Sequence, residues 1–322
     1  MTHEPAENFC RVCGTSAGIE RRIEARPEGW SYAQCGNCGT WSLNPMPDGE
    51  ALGYYYNQTY TVPPEAYARR VAEHAPPILR ELGERLPRRG KLLEIGCSYG
   101  FFLDAAQKDG WGTTGIELDD RAVKYGREKL LLEVLAGTLE SEMQRLEPPY
   151  DAIVSFHVIE HLRDPIEFLR SCRKLLREGG VLILKTPNVA SWIAKRTGAY
   201  WEWLCPPAHI HLFSSGTLDL ALQRSGFEVQ KIWSRRGDAH NNLFQLVWAF
   251  GRYVASRRRV ASSKNGVSGT NGHRRLSDGW RANAAMTASE AIYYPLALVI
   301  DPWLEKKGLQ PELVAIAATA AL

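Results

Sequence analysis

Leu92-Leu93-Glu94-Ile95-Gly96-Cys97-Ser98-Tyr99-Gly100 decides how this chain is read. It is an apolar run, a glycine turn, and then a helix that opens near Phe101 and stops by Gly110. A second strand follows over 112–118, and its acid Glu117 lies 21 residues past Gly96. A glycine turn lets a ligand approach the backbone closely, and an acid about 20 residues on can bind the hydroxyls of a ribose. The pair therefore implies a ligand that contains adenosine.

The turn is not the G-x-G-x-x-G that seats a pyrophosphate on a helix N-terminus. It reads G-x-S-x-G and is preceded by Glu94. A carboxylate there repels a pyrophosphate and attracts an ammonium group. S-adenosylmethionine carries an ammonium and a sulfonium, and no phosphate. The stretch resembles the first motif of class I S-adenosylmethionine-dependent methyltransferases, acid-x-Gly-x-Gly-x-Gly, with Ser98 in place of the middle glycine. That resemblance implies a cofactor site made by Glu94, Gly96, Cys97, Ser98 and Gly100, with Glu117 and Leu118 after the second strand. Thr138 and Leu139, after a third strand, fall where relatives of this fold contact adenine. Serine suits the turn provided that Ser98 is not forced to positive φ.

Working outward, the pattern predicts a helix over 65–86 and strands over 91–95, 112–118, 133–136, 150–158, 181–185 and 227–234. Asp119-Asp120 caps one helix, Asp164-Pro165 opens another that Gly179-Gly180 ends, and Ser214 or Ser215 caps a third. Alternating strands and helices argue for an α/β, doubly wound sheet. Residues 312–317 read as a last strand. By resemblance it is the seventh, antiparallel strand beside the sixth, with 238–311 as an insertion. The expected organisation is a ribbon and tyrosine-rich link over 1–60, a core over 61–240, an insertion over 241–307 and the final strand over 308–322.

The N-terminus holds Cys10-x-x-Cys13-Gly14 and Cys35-x-x-Cys38-Gly39 with 21 residues between the pairs. Four thiolates in two tight turns close a tetrahedral shell, which predicts a structural zinc on Cys10, Cys13, Cys35 and Cys38. Residues 19–26 and 30–34 read as the hairpin of a zinc ribbon. The Asn44-Pro45-Met46-Pro47 turn and the tyrosines after it resemble the link in ribbon-bearing methyltransferases that act on sugars, natural products and cell-surface glycans. That resemblance makes Tyr56 and Tyr60 candidates for lining the cofactor or acceptor pocket.

Methyl transfer from a sulfonium is an in-line displacement, and a hydroxyl acceptor must also lose a proton. Histidine suits that task. His157, Glu160 and His161 share a face if the chain turns helically after the fourth strand. The segment resembles ubiquinone-pathway O-methyltransferases, where two glutamates and a histidine at this spacing hold a divalent metal; here His157 stands in place of the first glutamate. His209 and His211 point the same way if extended, in an element that resembles the family's His-x-x-x-Phe-Ser. The catalytic candidates are therefore His157, His161, His209 and His211. Trp192, Tyr200, Trp201 and Trp203 lie beside them as aromatics able to stack on a sugar or plug the lid.

The net charge of +3 is unevenly placed. Residues 241–282 hold eight Lys or Arg against Asp278 alone, which leaves the remainder at −4 and argues against a broad nucleic-acid face there. The basic stretch predicts packing on the core or on a second subunit, or peripheral contact with an anionic membrane. The polar N-terminus and the absence of an apolar run near 20 residues predict a cytoplasmic protein with reduced thiols. The expected activity is methyl transfer to a small molecule, a sugar or glycan precursor. The rivals are an RNA methyltransferase that holds its substrate with the ribbon and a non-enzymatic cofactor-binding partner.

Overall fold

The computed structural model of the 322-residue chain describes residues 9–16, 18–25, 29–49, 51–52, 63–236, 246, 249–250 and 302–320. Its strands are β1 Ile19–Glu24, β2 Ser31–Cys35, β3 Trp41–Asn44, β4 Lys91–Ile95, β5 Gly112–Glu117, β6 Val134–Ala136, β7 Tyr150–Phe156, β8 Leu176–Pro187, β9 His211–Leu212, β10 Phe227–Arg235 and β11 Glu312–Thr319. The helices are α1 Pro64–Arg85, α2 Phe101–Lys108, α3 Asp120–Lys129, α4 Leu139–Glu142, α5 Pro165–Leu175, α6 Trp192–Thr197 and α7 Ser215–Arg224.

Seven strands form the main sheet in the order β10-β11-β8-β7-β4-β5-β6. Pairs from β8 through β6 are parallel, whereas β11 runs antiparallel to both β10 and β8. The doubly wound sheet with an antiparallel last strand is as the sequence implied. Every residue of β11 is buried, because it has a strand on each side and helices over the faces. One core layer joins Leu93, Ile95, Ile153 and Leu184 to α5 and α7. The other joins Leu92, Val154, Ile183 and Ile316 to α1 and α2. Alternate residues of one strand thus serve opposite layers, as the two-residue period requires.

Local chemistry sets the ends. Asp119 accepts from Arg121 N at the start of α3, Asp164 accepts from Glu167 N ahead of Pro165, and Ser214 builds a capping box with Thr217. Two expectations are corrected. The Gly179-Gly180 pair does not end a helix: α5 stops at Leu175, and the glycines lie within β8, with Gly179 at φ 65. The fourth parallel strand stops at Phe156, because His157 turns to φ 56 and breaks the extended backbone.

The N-terminal residues form a second sheet, β1-β2-β3-β9. Its fourth strand comes from the core: Trp41 pairs with Leu212 and Ser42 with His211. Trp30, Tyr32, Trp41 and Leu43 share one apolar cluster with Trp201, Leu204 and Leu212. The ribbon is therefore continuous with the core around 201–212. Among the described residues no helix is long and apolar enough to cross a membrane. The basic stretch expected to pack or to touch a membrane, 241–307, lies almost wholly outside the described residues, as do Tyr56 and Tyr60.

Candidate active site

The glycine turn follows β4 at the carboxyl edge of the sheet. Gly96 and Gly100 hold φ 77 and 85, and a Cβ on Gly96 would run into Val158 Cγ2. Ser98 also sits in the left-handed region, at φ 49, contrary to the condition set from its side chain. Such a residue bears roughly 1–2 kcal/mol of strain. Its N–H donates to Glu117 Oε2 at 2.7 Å, which ties the turn to the end of β5. Glu117 Oε1 accepts from Leu118 N and Asp119 N, each at 2.8 Å.

Glu94 is 3% exposed, and its Oε2 has no hydrogen-bond partner. Burial, and then the Glu117 charge, raise its pKa well above the usual carboxylate range. An orphaned buried carboxylate oxygen beside a close-approach turn fits a cationic ligand head, and no pyrophosphate would be stable there. The buried Cys97 thiol underlies the turn. Leu118 is 57% exposed, an apolar surface just past Glu117. Thr138 uses its hydroxyl to cap α4, and Leu139 is buried in the main core.

Next to this crevice, the chain after β7 makes a single 3-10 turn, Ile159–His161. His157 and Glu160 meet as expected, with Nδ1 donating to Oε1 at 3.2 Å. His161 Nδ1 donates to the Ala208 carbonyl at 3.0 Å. Its ring meets that of His209 edge-on at 4.7 Å. His209 Nδ1 donates to the Trp203 carbonyl at 2.8 Å. Both rings therefore carry the lone pair on Nε2. Burial lowers both pKa values, His209 to about 3, which keeps the rings neutral. Glu160 is held at about 2: burial alone would raise it, but the hydrogen bond and charge of His157 prevail. Donor atoms of Glu160, His161 and His209 lie within 4.8 Å of one another, a composition able to hold a metal ion.

His211 is placed differently from the expectation. It is fully buried, Ser42 Oγ donates to its Nδ1 at 2.8 Å, and its Nε2 donates to the Arg163 carbonyl at 3.4 Å. The extended backbone sends its ring to the ribbon, where it joins two walls with both nitrogens engaged. Trp203 stacks on both His157 and His209, with ring planes 4° and 14° apart, and Trp201 is buried.

Segment 208–212 is a strap. Leu43 N donates to the Ile210 carbonyl on the ribbon side, and Ile210 N donates to the Glu160 carbonyl on the core side. Tyr32 Oη donates to the His209 carbonyl at 2.6 Å. The first cysteine knuckle docks through buried Val12, whose carbonyl accepts from Arg224 Nη1. The Sγ atoms of Cys10 and Cys38 lie 3.7 Å apart, as do those of Cys13 and Cys35. A tetrahedron of ~2.3 Å zinc–sulfur bonds has edges of about 3.8 Å, so the four thiols fit that metal.

Two charged residues went unread in the sequence. Lys185 and Glu312 are each 1% exposed, one ending the apolar run of β8 and the other opening β11. A charge set against a buried apolar strand was the available signal.

A methyltransferase-domain family matches residues 67–232. The ubiquinone biosynthesis O-methyltransferase of Caulobacter vibrioides is 30% identical over 193 residues, covering 52% of this chain and 76% of that protein. A probable S-adenosylmethionine-dependent methyltransferase of Mycolicibacterium smegmatis is 29% identical over 140 residues; this chain spans about half of its length, 52%. The fold is similar to that of Haemonchus contortus phosphoethanolamine N-methyltransferase 2 in complex with S-adenosyl-L-methionine. There the TM-score is 0.51 at 15% identity, over 88% of this chain and 63% of that one.

Proposed function

Since the chain belongs to the class I S-adenosylmethionine-dependent methyltransferase family, we propose that it methylates a hydroxyl of a small-molecule acceptor, a sugar or glycan precursor, with His161 as the proton acceptor. When bound, S-adenosylmethionine supplies an electrophilic methyl on a sulfonium. Glu94 would hold the ammonium of its amino-acid end, and Glu117 the ribose hydroxyls. His161 would take the acceptor's hydroxyl proton on Nε2. One observation carries this reading: the Ala208 carbonyl fixes His161 in the tautomer that a general base needs, on the loop beside the glycine turn. His209 supports the ring edge-on, and His211 positions the strap. Cys10, Cys13, Cys35 and Cys38 hold a structural zinc.

A second reading is favoured by the proximity of Glu160, His161 and His209 donor atoms. These three would hold a divalent cation able to polarise an acceptor oxygen. Metal analysis separates the two readings: one zinc per chain supports the first, and a second metal lost with His209→Ala supports the other. The functional test incubates the full chain with methyl-labelled S-adenosylmethionine and a low-mass metabolite extract. Label on a hydroxylated product, and a turnover loss of about 10²-fold or more in His161→Asn with cofactor binding intact, support the reading. Label on RNA, or none on any small molecule, refutes it.

A further inference from the structure

Four ionisable side chains at the carboxyl edge of β7 and β8 form one network. His157 Nδ1 meets Glu160 Oε1 at 3.2 Å, and its Nε2 meets Glu312 Oε1 at 3.4 Å. The other oxygen of Glu312 faces Lys185 Nζ at 3.7 Å, and Thr186 Oγ1 donates to Glu160 Oε2 at 3.0 Å. Lys185 Nζ also lies 5.7 Å from the centroid of Phe156. Glu160, Lys185 and Glu312 are buried, while the His157 side chain keeps 26% exposure. Burying charges is expensive and apolar replacements often stabilise, so stability alone is a weak reason for such a network.

Its geometry gives a better reason. His157 leaves β7 at φ 56, a backbone strain that persists only where surroundings over-determine it. Its ring is pinned at both nitrogens, by its own loop and by a strand 155 residues further on. That ring lies flat against Trp203, which lies flat against His209. We propose that Glu312 is a positioning residue for methyl transfer, fixing the His157 ring and, through the His157–Trp203–His209 stack, the ring against which His161 rests. Lys185 faces the second oxygen of Glu312 as an ion pair at 3.7 Å, which sets a positive charge on the far side of the carboxylate. His157 is then a two-sided clamp, and the proton falls to His161.

The kinetic arm of the test rests on the reading above; the spectroscopic arm does not. Full-length chain with ¹⁵N-labelled histidine is compared as wild type, Glu312→Gln, Glu312→Asp and His157→Gln, which assigns the ring signals. S-adenosylmethionine affinity is measured by calorimetry, and turnover with the labelled-methyl assay above. The expected result has three parts. Glu312→Gln moves the His157 ring-nitrogen signals, because the ring loses its fixed partner at Nε2, and lowers kcat at least tenfold, with cofactor Kd within twofold. Glu312→Asp recovers part of both. Glu312→Gln added to His157→Gln lowers kcat no further, because the two act as one unit. Should Glu312→Gln fail to fold with Lys185 left unpaired, the paired change Lys185→Met with Glu312→Gln replaces it. Unmoved His157 signals, multiplying losses in the double variant, or a cofactor Kd that rises in step with the kcat loss would each overturn the proposal. Absence of methyl transfer by the wild type counts against the functional reading alone, and the ring signals still decide the role of Glu312.

Discussion

Replacing Tyr32 by Phe removes one oxygen from the seam between the ribbon and the acceptor side. Tyr32 is fully buried, and its hydroxyl donates at 2.6 Å to the His209 carbonyl, 177 residues away. Phe retains the ring and its packing among Trp41, Trp201 and Leu212, so the cavity left is negligible. What changes is a buried carbonyl that loses a donor, a penalty of about 1–3 kcal/mol. For a domain of this size each kcal/mol moves the melting temperature by roughly 2–4 °C. Calorimetric melting should therefore drop by about 2–12 °C. The glycine turn lies outside this seam, so affinity for S-adenosylmethionine should stay within twofold while KM for the acceptor rises or kcat falls. A variant that melts within 1 °C of wild type and turns over normally would refute the claim that the ribbon holds the strap in place. An equal loss of cofactor affinity would refute the division into two sides.

The cofactor side makes its own predictions. Gly96→Ala should abolish detectable cofactor binding in calorimetry, because the new methyl meets Val158 and φ 77 disfavours any L side chain. Glu117→Ala strips acceptors from Ser98, Leu118 and Asp119 N–H groups and should weaken cofactor binding roughly 10- to 100-fold, the ~1.5–3 kcal/mol of a charged hydrogen bond. Purified protein should carry a zinc that is lost in Cys35→Ser, with a lower melting temperature, since Val12 beside Cys13 belongs to the main core. Acid should destabilise the fold early. Burial lowers His209 to about 3, His211 to about 4 and His74 to about 2 from 6.5, so the folded rings stay neutral while the unfolded chain binds protons below pH 6.5. Their stabilisation is complete above 6.5 and declines as pH falls toward the folded values, by about 1.4 kcal/mol per pH unit for each ring. His157, raised by its carboxylates against burial, works oppositely: its contribution is present below 6.5 and fades as pH climbs through its folded pKa. Melting temperatures should therefore fall from pH 6.5 to 4.5, and a flat profile there contradicts the burial of these rings.

The cofactor half was legible because its chemistry is local. Gly96, Gly100 and Glu117 sit in one strand–turn–helix–strand unit, and spacing alone brings them together. The cysteine pairs were legible for the same reason. The acceptor half was not, because its contacts join positions far apart in the chain. Nothing in the spacing of His209 and His211 reveals that one ring meets His161 while Ser42 holds the other. The two rings were expected to point the same way in an extended segment, but the strand begins only at His211, and their partners came from the ribbon and from the 3-10 turn. Glu312 was counted as the first residue of a strand, and its charge acquired meaning only once β11 lay beside β8 and faced His157. Ser98 illustrates the reverse case: its size fitted the turn, but its φ depended on a hydrogen bond from the second strand.

The place of β11 has a consequence for the order of synthesis. The ribosome delivers β8 and β10 long before residues 312–319, yet those two strands touch only through β11. Until that segment emerges, the nascent chain displays an unpaired edge along β8 that carries the apolar run Val181–Leu184, a template for pairing with other chains. Yield in a cell should therefore depend on how fast translation crosses 236–311 and on chaperones that shield that edge meanwhile.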